Sequence, residues 1–255
     1  MRLTLVRHAT LLIDMAGVRL LVDPMLDPAG ARSPIPGTPE PRRNPLVELP
    51  RPAEEVVRGV SAVVVTHMHE DHIDVGALEA LPAEVPFVCQ PEEVAELKGT
   101  GRTELVPMED EVELGAVRLT RTPGRHGHDR LGDMLGPVSG VLLRAEGEPT
   151  VYVAGDTVWC EEVASTLREA RPDVVVVNAG GARFVEGEPV TMDADDVVAT
   201  ARAAPDAIVV AVHMEAVNHC LLDRAALTER LAAEGLAERV LVPPDGGAFE
   251  ITAEG

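Results

Sequence analysis

The sequence predicts a two-sheet α/β architecture, and three observations predict it. Strand-like runs dominate the first half of the chain, whereas the second half alternates strand and helix patterns. A near-continuous apolar run, Asp173-Val174-Val175-Val176-Val177, has the composition of a strand covered on both faces. The chain has 255 residues, long for one domain but common for such an architecture, and large enough for a sizeable core. We therefore expect one domain over 1–255, with no repeat, linker or low-complexity tail.

Taken in order, residues 2–6 and 10–13 read as a hairpin, followed by a strand at 18–22 that ends at Asp23-Pro24. From Pro24 to Pro52 the chain is dense in proline, with arginines at 32, 42, 43 and 51. Proline removes donors and fixes φ, so this stretch cannot be regular structure, and a loop this long inside a compact domain is expected to be functional. We expect an ordered flap over a site. The β-branched run Ser61-Ala62-Val63-Val64-Val65 reads as a buried strand. A short helix at 74–81, a strand at 85–89, a helix at 92–97 and a strand at 103–106 follow. Residues 111–121 form a hairpin turning at Gly115, and 122–137 a glycine-bearing loop. Strands at 138–144 and 149–153 lead to a helix at 160–170 and the valine strand at 173–177. Helix 193–203, strand 207–212, helix 223–234, strand 239–242 and a closing strand at 248–252 complete the chain.

Composition narrows the partners. Hydrophobic residues make up 45% of the chain, yet only five residues are aromatic, so the core must be built from Val, Leu and Ala. The formal net charge is −21, with 22 basic residues against 43 acidic ones. Counterion release through Lys and Arg drives nucleic-acid binding, so this balance argues against a nucleic-acid partner, and equally against docking on anionic membrane. No apolar run reaches the length of a membrane span. Three cysteines (Cys89, Cys160 and Cys220) cannot make a framework of bridges, which points to a reducing cytoplasm. A small-molecule substrate is the expected partner, and a homo-oligomer is compatible with the sequence.

The chemistry concentrates at Thr66-His67-Met68-His69-Glu70-Asp71-His72, just past the 61–65 strand. Residues two apart in an extended segment project the same way, so His67 and His69 can converge on one cation. After a turn, Asp71 and His72 face a second position. Imidazole nitrogens with one carboxylate suit Zn, Mn or Fe ions better than cations that want only oxygen.

This spacing resembles the H-x-H-x-D-H signature of the metallo-β-lactamase superfamily. The resemblance implies further ligands along the chain, and candidates occur in the family's order: His126 in Gly124-Arg125-His126-Gly127, Asp156 in Ala154-Gly155-Asp156-Thr157, and His213 in Ala211-Val212-His213. It implies two divalent metal ions, with His67, His69 and His126 on one, Asp71, His72 and His213 on the other, and Asp156 touching both. It also selects His126 over His128, which spacing alone does not. The order of elements fits that superfamily's αββα sandwich, two sheets face to face with helices outside. The opening strands with His8, the Asp23-Pro24 pair, Gly-Asp-Thr and the late Val-x-His look most like the UlaG-like branch, which includes a lactonase of ascorbate phosphate. His8 is then a pocket residue, and Asp23 orients a ligand histidine rather than binding metal.

The function implied is a metal-dependent hydrolase of a small ester, lactone or phosphodiester. A hydroxide shared by two cations is a nucleophile at neutral pH. Asp71 and His219 are the candidate catalytic residues, His219 lying beyond the metals and acting on the substrate with a pKa near neutrality. Two other readings remain open: a mononuclear iron dioxygenase of a thiol, and a non-catalytic metal-binding scaffold. A Cys220 nucleophile paired with His219 is disfavoured, because adjacent side chains need not face each other.

Overall fold

The computed structural model describes residues 1–128 and 130–252; residue 129 and residues 253–255 of the expected domain span lie outside the described residues. Two mixed seven-stranded sheets face each other. The first runs in the order β14 (Ala248–Glu250), β1 (Arg2–Arg7), β2 (Thr10–Met15), β3 (Val18–Val22), β4 (Ala62–Val64), β5 (Phe87–Cys89) and β6 (Leu105–Pro107). The second runs β13 (Val240–Leu241), β12 (Ile208–Val212), β11 (Val174–Asn178), β10 (Val151–Val153), β9 (Ser139–Arg144), β8 (Val117–Pro123) and β7 (Glu111–Leu114). In each sheet, hairpin-linked antiparallel strands give way to parallel ones: β3 to β6 in the first, β10 to β13 in the second.

Side-chain alternation explains the four layers. In β11, Val174 and Val176 join the core between the sheets, while Val175 and Val177 pack outward. That outer face is covered by α5 (Glu161–Ala170), α6 (Ala194–Ala203) and α7 (Arg224–Ala233), through Val163, Leu167, Val197, Val198, Leu227 and Leu231. The first sheet is covered in the same way by the shorter α1 (Ala53–Val56), α2 (Val75–Ala80) and α3 (Val94–Gly99), through Val56, Ala77 and Leu97. The valine run is therefore buried on both faces, and the architecture is the α/β metallo-β-lactamase sandwich.

Three segments depart from the sequence reading. The first is α1, which forms between the flap and the 61–65 strand, where that reading assigns no element. The 122–137 loop carries a short helix, α4 (Arg130–Met134), and the 92–97 helix is displaced into a 3₁₀ turn at Pro91–Glu93 followed by α3. Pro91 explains the shift, since proline suits a first helical turn and lacks the donor a helix interior needs. Residues 24–52 contain no strand or helix, only an isolated bridge between Arg32 and Asn44. Arg7, fully buried, fixes this segment to β1 by donating to the carbonyls of Met25, Asp27 and Val47.

Candidate metal centre

Strand ends from both sheets converge at one edge. His8 follows β1, Asp23 follows β3 and the 66–72 loop follows β4; from the second sheet come His126 after β8, Asp156 after β10, Asn178 at the end of β11 and His213 after β12. The backbone is bent hard to aim these groups. His8, Asp23 and His213 all have positive φ, at 61°, 45° and 68°, values uncommon for residues with a Cβ. Gly155, just before Asp156 and with φ 71°, lies so close to Ser139 that a Cβ on it would be 2.8 Å from the Ser139 carbonyl oxygen.

The candidate ligand atoms fall into overlapping clusters, each with its atoms within 4.8 Å of one another: His67, His69 and His126; His8, Asp71, His72 and His213; and His67, His72 and Asp156. Asp156 lies between the first two. Its Oδ2 is 3.2 Å from His72 Nε2, 3.7 Å from His126 Nε2 and 3.9 Å from His67 Nε2, while Oδ1 is 3.3 Å from His213 Nε2. All of these residues except His69 are buried.

Hydrogen bonds behind the imidazoles fix which nitrogen faces the centre. Asp23 Oδ2 accepts from His72 Nδ1 at 2.8 Å and from the Thr66 hydroxyl at 2.8 Å, and Thr66 Oγ1 in turn accepts from His67 Nδ1 at 3.1 Å. His126 Nδ1 donates to the Val190 carbonyl at 2.7 Å, and His213 Nδ1 lies 3.4 Å from Cys220 Sγ. With Nδ1 so engaged, the Nε2 atoms of His67, His72 and His126 point inward, the arrangement metal-ligating histidines require. Asn178 Nδ2 donates to Asp156 Oδ1 at 2.6 Å and orients that carboxylate.

The donor set fits metal ions on electrostatic grounds. His72 Nε2 lies 3.2 Å from Asp156 Oδ2 and 3.3 Å from His213 Nε2, so ligand-type atoms crowd one point in a site shielded from water. Three carboxylates, Asp23, Asp71 and Asp156, are buried here, and their ion-pair partners among the described residues are all histidines. Buried charge of one sign needs compensation, and divalent cations supply it. The same field acts on protonation. Burial opposes charge on His72, yet Asp156, Asp23 and Asp71 outweigh it and hold its pKa well above the ordinary value. Burial alone would raise the carboxyls of Asp71 and Asp156, but the surrounding imidazoles reverse this and hold both well below it.

The remaining sequence candidates take distinct places. His8 is fully buried, with Nε2 3.2 Å from Asp71 Oδ2 and its ring stacked 3.6 Å from that of His213. His219 lines the cavity above the clusters, Nε2 3.7 Å from Asp71 Oδ2. Its pKa is not near neutrality: burial lowers it to about 4, so at neutral pH the ring is an uncharged donor and acceptor rather than an acid. His128 is exposed and does not line the cavity. Cys220 sits behind His213, and burial with the nearby Asp71 and Asp156 raises its thiol well above the usual range, which suits an inert thiol rather than a nucleophile.

A cavity of about 460 Å³ opens over the clusters. Its floor includes His69, Asp71, His126 and Asp156; its walls are Pro34-Ile35-Pro36 from the flap, Leu135, Phe184 and Val190. Residues 24–52 thus cover the site at their tip. Sequence reasoning missed Phe184, Asn178 and Asn218. Asn178 carried a faint signal, since it ends a strand next to the one that leads to Asp156; Phe184 and Asn218 carried none.

Fold and site together are those of a metal-dependent hydrolase of the metallo-β-lactamase fold. Residues 18–214 match the model of the beta-lactamase superfamily domain. The chain is 34% identical over 252 residues to the UPF0173 protein YddR of Bacillus subtilis, covering 98% of this chain and 99% of that one. It is 30% identical to a UPF0173 metal-dependent hydrolase of Azorhizobium caulinodans, over 98% of this chain and 100% of that protein. The chain belongs to the UPF0173 family of metal-dependent hydrolases. Among solved structures it superposes on the isothiocyanate hydrolase from Delia radicum gut bacteria with a TM-score of 0.94 and 37% identity, covering 99% of this chain and 100% of that chain.

Proposed function

We propose that this chain hydrolyses a small uncharged electrophile at a binuclear centre, and that organic isothiocyanates are its first candidate substrates, ahead of the lactones and esters suggested by the UlaG-like features. The observation that carries this reading is the lining of the cavity. Among the described residues no lysine or arginine lines it, its walls are mostly apolar, and the acidic Glu70 stands at its edge. A phosphodiester would find no side-chain cation there, whereas a neutral carbon electrophile with an apolar tail needs none. The 37% identity to an isothiocyanate hydrolase supports the same class.

In this reading His67, His69 and His126 hold one metal, Asp71, His72 and His213 the other, and Asp156 contributes to both. Bound divalent cations lower the pKa of coordinated water from ~15.7 toward ~7 and polarise the group under attack. The chain's own residues do the rest. Asp23 holds His67 and His72 in the tautomers that ligate, through Thr66 for the former. Asn178 keeps Asp156 turned toward both clusters. The flap, Phe184 and Leu135 exclude bulk water and seat the tail, placing the reacting carbon over the floor. His219, uncharged, donates a hydrogen bond to the heteroatom on which charge develops. For an isothiocyanate, water oxygen bonds to the central carbon as the C=N π bond breaks, and a proton ends on nitrogen. The resulting thiocarbamate releases amine and carbonyl sulfide.

The test is a hydrolase panel on protein loaded with Zn²⁺, Mn²⁺ or Fe²⁺: 2-phenylethyl isothiocyanate, an aliphatic isothiocyanate, a lactone, an aryl ester and a phosphodiester. Amine release from isothiocyanates, with the phosphodiester untouched, is expected. Preference for the phosphodiester overturns the reading.

A further inference from the structure

The flap and the loop that follows His213 meet at a single buried side chain. Asn218 is 1% exposed and makes six hydrogen bonds, all to the flap. Its backbone N–H donates to Asn44 Oδ1 at 2.9 Å. Its Oδ1 accepts from the Ile35 N–H at 3.1 Å and from Asn44 Nδ2 at 2.7 Å. The two N–H bonds of its Nδ2 are shared among the Glu40 carbonyl at 2.6 Å, Thr38 Oγ1 at 2.5 Å and, farthest, the Ile35 carbonyl at 3.2 Å. One amide therefore gathers four flap residues, 35, 38, 40 and 44, around itself.

We propose that Asn218 is the positioning residue that sets the apolar wall of the cavity, and so determines which substrate tails fit. The proposal rests on the reading above only for the nature of the substrate. The arms of the flap are tied down by Arg7 on the carbonyls of Met25, Asp27 and Val47, by Arg43 on those of Gly30 and Ala31, and by the Leu46 N–H on that of Ala216. The tip at 35–40, in contrast, reaches the rest of the chain through Asn218 and through the Val185 N–H on the Gly37 carbonyl. The flap's prolines cannot donate, and its one bridge, Arg32 to Asn44, ends on a residue that Asn218 itself holds. Ile35, both of whose backbone polar groups bond Asn218, is flanked by Pro34 and Pro36, and all three line the cavity. The wall continues into Phe184 through Gly37, whose carbonyl accepts from the Val185 N–H at 2.8 Å. The loop carrying Asn218 also presents His219 to the same cavity one residue later. Wall and polar floor are thereby kept in register. Removing the amide leaves the Ile35 N–H without its partner and the Ile35 and Glu40 carbonyls sharing the single Thr38 hydroxyl, and the tip free to swing from the mouth.

The experiment compares wild type, Asn218→Ala and Asn218→Asp in metal-loaded protein, with readouts that need no turnover. Trypsin should cut the variants after the exposed Arg42 and Arg43 at least ~10-fold faster, because the local opening has lost its restraint. Calorimetric titration with 2-phenylethanethiol and ethanethiol should show a preference for the ring in wild type that falls ~10-fold in the variants, with metal content unchanged. The aspartate keeps the acceptor and loses the donors, so it carries the same test if the alanine chain melts too early. Unaltered cleavage and ring preference would overturn the proposal, as would wild type without a ring preference, while loss of a metal would move the role of Asn218 to the centre itself. A wild type inactive on isothiocyanates would sink the substrate reading alone.

Discussion

The floor of the cavity is carried on the ends of seven strands, and its wall on loops without a ladder of their own. In the floor, His72 and Asp156 are oriented by short bonds to neighbours at strand ends, Asp23 and Asn178, and His126 by the Val190 carbonyl of the loop before α6. In the wall, Ile35, between Pro34 and Pro36, is held by bonds to Asn218, 183 positions away. The difference separates two tasks. Metal binding tolerates little displacement and suits rigid elements, whereas under the proposal above the substrate's tail would meet segments whose shape a single side chain can reset.

Substitutions should divide along the same line. The largest effect belongs to Asp156→Asn. The amide keeps the volume but removes the charge that lies between both clusters, so turnover should fall below detection and bound metal should drop while the melting temperature stays close to wild type. Elemental analysis with a rate assay checks this, and activity within about tenfold of wild type would exclude a bridging role. His219→Ala comes next. It should retain full metal content and lose ~10²-fold in kcat, the scale of one positioned hydrogen-bond donor. Loss of a metal would make His219 a ligand, and unchanged kinetics a structural residue.

For the wall, Phe184→Ala should leave metal content and kcat nearly intact while raising KM for an aryl isothiocyanate ~10-fold, with little change for a methyl one. A fall in kcat for both substrates would mean that the wall also shapes the floor, and the division would fail.

The unequal legibility of the two regions in the sequence has the same cause. His67, His69, Asp71 and His72 are local, so strand geometry alone shows that they can converge. His126, Asp156 and His213 became candidates only through their order along a family resemblance, since nothing local distinguishes His126 from His128. The sheets were legible because the valine and leucine alternation is local too. The α4 helix was not, because glycines at 127, 132 and 136 weigh against helix; Gly132 is there for closeness, a Cβ at that position lying 2.5 Å from the His126 carbonyl oxygen. Asn218 looked like any loop asparagine, and Phe184 like an isolated aromatic, because their partners are remote in sequence. The His219 pKa failed for a similar reason: burial set it, and burial is not written at residue 219.

The smallest expected effect tests how tightly the floor is supported from beneath. Glu93, in the 3₁₀ turn after β5, accepts the Met68 N–H at 2.7 Å and so holds the peptide between His67 and His69. Burial lifts its carboxyl from 4.5 to about 7, against hydrogen bonds from Met68 and Gln90 that favour the charge. The unfolded chain therefore releases this proton near 4.5 and the native chain only near 7. Across that window the unfolded state binds fewer protons, so this group's contribution to stability is fully present below about 4.5 and declines as pH rises to about 7. Glu93→Gln keeps an oxygen for the Met68 N–H and cannot titrate. Melting curves of the metal-free proteins should then converge near pH 5 and separate toward pH 7.5, the glutamine variant melting higher. Parallel curves across that range would show that the native carboxyl titrates as it does unfolded, and that the metal loop rests on this contact without straining it.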